Sequence, residues 1–241
     1  MSKINFKPGN MIYPLPAVMV SCGDIETASN ILTVAWTGTI CTNPPMAYIS
    51  VRPERYSYDM IKKSGEFVIN LTTEQLIKAT DFCGVRSGRD VDKWLKCNLT
   101  KEKADTVKCP LIAESPVNIE CKVTEIKELG SHHMFIADVT AVHVDESYMD
   151  KNNLFHLNDS NLLAYSHGSY SGLGNELGTF GYSIRKKKAA AKSSQKAEKK
   201  SHTDKKRIVK EKKSMSQKVM AKQNIKHSKT TVKNKRIKKH K

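Results

Sequence analysis

The chain has 241 residues, of which 39% are hydrophobic, and carries 41 Lys and Arg against 24 Asp and Glu, a formal net charge of +17. That charge is unevenly held, because residues 185–241 take 24 of the basic residues against three acidic ones, a net of +21, and leave residues 1–184 acidic at −4. A uniformly basic nucleic-acid protein is therefore excluded, and no run approaches the roughly 20 apolar residues that a membrane-spanning helix needs.

In chain order, the early apolar run over residues 11–20 is broken by Pro14 and Pro16, so it is not a signal peptide. Strands are predicted over 17–22, 31–38, 46–51 and 67–71, rich in Val, Ile, Thr and aromatics and bounded by Gly, Pro or Asn. Short helical patterns lie at 56–63, 73–82 and 91–96. Two long strands, 117–129 and 134–144, meet at Gly130 and Ser131, which makes an antiparallel hairpin. Strands of that length fit a closed barrel, since closure removes exposed edges.

The third strand ends at Arg52 and Arg55, and Tyr56 and Ser57 open the helical pattern behind it. Guanidinium forks, a hydroxyl and free amides at a helix N-terminus together suit a phosphate group. The same residues also suit a solvated strand end paired with surface carboxylates. Ser87, Gly88, Arg89 and Asp90 form either a plain turn or a helix start that offers amides to an anion, with Asp90 or Asp92 capping the helix that carries Lys93.

Thr33, Thr37 and Thr39 alternate on one strand face, turned either to solvent or to a polar ligand. His132 and His133 point to opposite faces of their strand and cannot readily ligate one metal, so no metal site is expected there. The Gly-, Ser- and Tyr-rich run over 164–183 matches neither a dinucleotide fingerprint nor a P-loop, and reads as an ordered segment lying over the barrel or a partner subunit.

The six cysteines contain no C-x-x-C pair and sit among apolar or small neighbours, which fits small core thiols in a reducing cytoplasm. Residues 1–184 are long enough for one buried domain. Residues 185–241 hold no aromatic residue and few aliphatics, so disorder is expected, and the stretch reads either as a binder of nucleic acid or another polyanion or as a dispensable solubilising extension.

Four stretches then carry a resemblance: TVAWTG (33–38), NPPMAYISVRPERYSYDMI (43–61), FCGVRSGRDVDKW (82–94) and ELGSHHMFIADV (128–139). In their order and spacing they resemble the flavin reductase-like, FMN-binding split-barrel family, and within it the flavoredoxin-type proteins. The resemblance implies a mainly β fold, a six-stranded Greek-key split barrel with a few short helices that forms a homodimer. It implies that Ala35, Trp36, Thr37 and Gly38 line the isoalloxazine edge of FMN, and that Ser50 and Val51 are also cofactor-binding. Arg52, Arg55, Tyr56 and Ser57 would take the ribityl phosphate, joined by Ser87, Gly88 and Lys93.

By the same resemblance His132 is the catalytic candidate beside the flavin ring, a structural histidine being the alternative, and Tyr165 and Tyr170 are second-tier stacking candidates. The implied activity is that of a cytoplasmic flavoprotein oxidoreductase. A hydride from NADH or NADPH passes to the flavin, and electrons pass on to a free flavin, a small acceptor or a protein. Without a dinucleotide fingerprint, the nicotinamide would dock in the open groove over FMN. An FMN electron carrier or sensor without nicotinamide chemistry is the alternative, and a polyanion-binding protein acting through residues 185–241 is another.

Overall fold

The structure, a computed structural model, describes residues 1–185; the expected disorder and polyanion contact of the Lys-rich stretch lie outside the described residues. The chain divides into two units, the first Met1–Asn175 and the second beginning at Glu176. Of the second, residues 176–185 are described, with a 3-10 turn at Tyr182–Ile184.

Unit one contains, in chain order, β1 (Leu15–Pro16), β2 (Val18–Gly23), β3 (Ser29–Val34), β4 (Thr37–Cys41), β5 (Met46–Val51), α1 (Tyr56–Ser64) and β6 (Glu66–Asn70). Next come α2 (Ile77–Val85), α3 (Lys93–Cys97), β7 (Lys101–Glu102), β8 (Leu111–Ile112), β9 (Val117–Leu129), β10 (His132–Val144), β11 (Leu163–Ser166) and β12 (Ser169–Gly172). The main sheet runs β3-β2-β6-β9-β10-β5-β4, every pair antiparallel.

Its two edge strands, β3 and β4, are consecutive in the chain. Only Ala35 and Trp36 separate them, and the Ser50 amide donates to the Trp36 carbonyl at 2.9 Å. Residues 29–41 therefore act as one strand bent at Ala35–Trp36, and that bend joins both sheet edges into a barrel of six strands. The predicted single strand over 31–38 crosses the bend, where pairing passes from β2 to β5 and the ladder is interrupted.

β2 is buried on both faces, which is why it reads as a continuous apolar run rather than an alternation. Val18, Val20 and Cys22 face the barrel interior with Phe67, Ile49 and Phe135, while Met19 and Ile31 face a second core beneath α2 and α3 that includes Cys83 and Trp94. Burying each of the two phenylalanines contributes roughly 1.5–3 kcal/mol relative to exposure.

Buried polar groups are tied together. Asn70 Nδ2 donates to the Met19 carbonyl at 2.9 Å, and Asn70 Oδ1 accepts from Asn118 Nδ2 at 2.7 Å and from the Ile112 amide at 3.1 Å. Glu120 accepts from the Asp105 amide (2.7 Å), the Thr106 amide (2.6 Å) and the Thr106 hydroxyl (2.5 Å), and lies 2.6 Å from His143 Nε2.

Candidate functional site

The bend at Ala35–Trp36 opens onto a cavity of about 540 Å³ lined by Ala35, Trp36, Ser50, Val51, Arg52, Arg55 and His132, together with Asp81, Gly84 and Val85 of α2. A smaller cavity of about 150 Å³ is lined by Arg55, Tyr56, Ser57, Ser87, Gly88 and Lys93, with Arg86 and Arg89. Both share Leu32, Thr33, Arg55, Gly84 and Val85, so they form one elongated site with Arg55 at the waist.

Charge divides along that site. The larger cavity balances Arg52 and Arg55 against Asp81, whereas the smaller one gathers Arg55, Arg86, Arg89 and Lys93 around the single acid Glu54. Helix α1 begins there with Arg55 at its N-cap and no side-chain cap; the Arg55 and Tyr58 amides donate to the Arg52 and Arg55 carbonyls at 3.1 and 2.9 Å, and the residues between them, Tyr56 and Ser57, line the cavity. The smaller cavity is thus built for an anion.

Arg55 Nη1 donates to the Gly84 carbonyl at 3.2 Å, and Arg89 donates to the Glu54 carbonyl at 3.2 Å with its guanidinium 5.3 Å from the Tyr56 ring. Gly88 has no room for a side chain: a Cβ there would lie 2.3 Å from Asn30 Oδ1 and 2.7 Å from Tyr56 Cδ1. Asn30 Nδ2 in turn donates to Ser57 Oγ at 2.7 Å. Asp92, not Asp90, caps α3, accepting from the Trp94 amide at 2.9 Å and the Leu95 amide at 3.2 Å.

Lys93 is buried, and its ammonium donates to the Ile31 carbonyl at 2.7 Å and the Cys83 carbonyl at 2.9 Å. Two of its three donors are therefore spent on holding α2 and β3, which leaves one for a ligand. Burial pushes its pKa down from the ordinary value of 10.5. Arg52 is more loosely placed, 3.7 Å from Glu54 in an exposed pair.

Thr37 and Gly38 lie outside the lining of both cavities. The Thr37 side chain turns inward and its hydroxyl donates to the Tyr48 carbonyl at 2.6 Å, while Gly38 packs against the Tyr48 ring. Thr33 likewise spends its hydroxyl on the Thr80 carbonyl at 2.5 Å, fastening α2 to β3. The three threonines thus differ: Thr37 is spent on the fold, Thr33 fastens α2 while lining both cavities, and Thr39 is exposed.

His132 and Trp36 stack at the mouth of the larger cavity, ring centroids 4.2 Å apart and tilted by 42°. Burial, then the positive charge of Arg52, holds the His132 pKa below 6.5, so the ring is neutral at pH 7. Ser131 Oγ lies 3.0 Å from its Nδ1, and donation from that hydroxyl leaves the proton on Nε2. His133, on the opposite face, is held by the Tyr58 hydroxyl at 2.7 Å and is also half-buried.

The run from residue 164 forms a hairpin, β11–β12, paired to β1, and Tyr165, Gly168 and Tyr170 line the larger cavity from it. Tyr13, Tyr165 and Tyr170 make a chain of rings, with centroids 6.3 and 5.5 Å apart. Burial, then the Asp81 carboxylate, pushes the Tyr170 phenol up from its ordinary 10.0.

Residues 11–174 match the family described as flavin reductase like domain. The chain belongs to that family. Flavoredoxin of Desulfovibrio vulgaris (Miyazaki F) superposes with a TM-score of 0.70 at 27% identity, covering 76% of this chain and 100% of that one. Flavoredoxin from Methanosarcina acetivorans gives 0.68 at 26%, covering 77% and 100%. An uncharacterized protein of Archaeoglobus fulgidus is 30% identical over 139 residues, 58% of this chain and 77% of its own length.

Within this flavin reductase-like domain, residue-level reasoning missed Asp81, Gly84, Val85 and Arg86 as lining residues, and named Arg89 only as part of a turn. The signal was present in FCGVRSGR, whose two arginines flank the Ser87–Gly88 turn. What was hidden is that α2 ends against β3, which depends on the Thr33–Thr80 bond between residues distant in the chain.

Proposed function

We propose that the flavin reductase-like domain binds FMN along the elongated site and uses it to take a hydride from NADH or NADPH. The observation that carries this reading is the division of the site into a weakly charged cavity at the Trp36 bend and an arginine-rich cavity at the start of α1. An isoalloxazine ring and a ribityl phosphate need those two surroundings, and FMN carries both in one molecule. The glycine cradle at Gly88 and the donor set of Arg55, Arg86, Arg89 and the α1 amides fit the phosphate.

Each residue then has a task. Arg55 spans both cavities and fixes the position of the phosphate relative to the ring. Arg52 closes the larger cavity beside Trp36. Gly84 and Gly88 allow the backbone to approach the ligand closely. His132 is neutral, so it can donate one hydrogen bond from Nε2 towards the ring edge, or orient a nicotinamide, without adding a positive charge. Bound FMN would supply the two-electron chemistry itself.

The tyrosines of β11 and β12 wall the open side, where a nicotinamide and then an acceptor would lie. We also read the protein as a homodimer, supported by exposed Val142 and Val144 on one face of β10. The cytoplasm suits its free thiols, and a free flavin, small molecule or protein suits as acceptor.

The test is anaerobic addition of NADH or NADPH to the FMN-loaded protein. Bleaching of the flavin absorbance within seconds to minutes supports the reductase reading. An unchanged spectrum with FMN bound would leave an electron carrier or sensor as the function of the same site.

A further inference from the structure

Two sulfur atoms beside the smaller cavity, whose lining includes Cys83, lie close together. Cys83 Sγ on α2 and Cys97 Sγ at the end of α3 are 3.9 Å apart in the second core. Cys83 is buried and Cys97 is half-buried, so an oxidant meets Cys97 first. Residues 84–96 between them carry Gly84, Arg86, the Ser87–Gly88 turn, Arg89 and Lys93, which is one whole wall of the smaller cavity.

We propose that Cys83 and Cys97 are an oxidation site, closed to a reversible disulfide by a peroxide, and that the bond ties the two ends of the cavity wall together. In the first step Cys97 sulfur attacks hydrogen peroxide; an S–O bond forms, the O–O bond breaks, and water leaves with the thiol proton, giving a sulfenic acid. In the second, Cys83 sulfur attacks that sulfur; the S–S bond forms, and the hydroxyl leaves as water with the Cys83 proton. Two thiols are oxidised and one peroxide is reduced to two waters.

The geometry suits the closure. The sulfurs must approach by roughly 2 Å, which side-chain rotation and a small shift of the five-residue α3 supply. Lys93 already holds α3 to the Cys83 carbonyl, so the helices do not need to be brought together. Burial raises both thiols, Cys83 to about 12, so the pair is slow compared with an activated cysteine and responds to sustained rather than brief oxidation. Cys22, Cys109 and Cys121 are buried, and Cys41 lies on β4, away from the two helices that carry the pair.

A consequence rests on the phosphate reading above: release of FMN requires the 84–96 wall to open, and a bond between its ends slows that opening. The full-length protein, with and without FMN, is treated with hydrogen peroxide, denatured, and its free thiols counted and peptides mapped. The count is expected to fall from six to four, with one Cys83–Cys97 linked peptide pair that dithiothreitol reverses. The Cys97→Ser protein is expected to give no linked pair. Persistence of six thiols in the folded protein, or links joining other cysteines, overturns the oxidation site.

FMN release, followed by flavin fluorescence, is expected to slow several-fold on oxidation of the parent protein and not of Cys97→Ser. A linked pair with unchanged release overturns the coupling. Failure to bind FMN at all contradicts the phosphate reading instead, and the linked peptide still decides the oxidation site.

Discussion

Arg55 touches both parts of the site, and its replacement separates them. Arg55→Ala is expected to weaken FMN binding by about 1.5–3 kcal/mol, the scale of a hydrogen bond to a charged group, measured by fluorescence titration. Arg52→Ala should cost less, because that guanidinium is exposed and lines only the ring cavity. Glu120 acts on stability rather than on ligand. Burial opposes its ionisation, but hydrogen bonds from Thr106, Asp105 and His143 outweigh it and bring its pKa to about 2 from 4.5. A carboxylate depressed in the folded state stabilises above its unfolded pKa, and that contribution is lost as pH falls from about 4.5 to about 2. Glu120→Gln should therefore unfold at lower denaturant than the parent at pH 7, with the gap closing through that window.

Among the elements, the segment from the end of α2 through α3 is the one whose construction matters most to the site. Asp92→Ala removes the cap of α3 and is expected to cost about 1 kcal/mol in denaturant unfolding. Gly88→Ala places a methyl against Asn30 and Tyr56 and should weaken FMN binding at least as much as it lowers stability. The bounds of β5 and β9, and the starts of α1 and β6, were close to legible because Pro, Gly and Asn punctuate runs of Val, Ile and Thr. The break between β3 and β4 was not, since it is set by a change of pairing partner that no local residue announces. The β11–β12 hairpin turns at His167 and Gly168, both with positive φ, and was hidden in a run whose glycines suggested many bends. At the site, Arg55 and His132 were legible from their neighbours in sequence, while the inward turn of Thr37 needed the Tyr48 carbonyl opposite.

For the whole molecule, the acidic first 184 residues and the basic remainder are proposed to act separately. Truncation after Ile184 should leave FMN affinity within about twofold, while any binding to nucleic acid should vanish with the truncation and fall steeply with salt in the full chain. Loss of FMN binding on truncation would contradict that division. The central claim is that the bent-strand barrel holds FMN through the arginine-lined cavity. The direct measurement is titration of the purified full-length chain with FMN, followed by quenching of flavin fluorescence, and compared with riboflavin, which lacks the phosphate. Saturable binding of one FMN per chain, with riboflavin at least tenfold weaker, is predicted; equal affinity for the two, or no uptake of either, would contradict it.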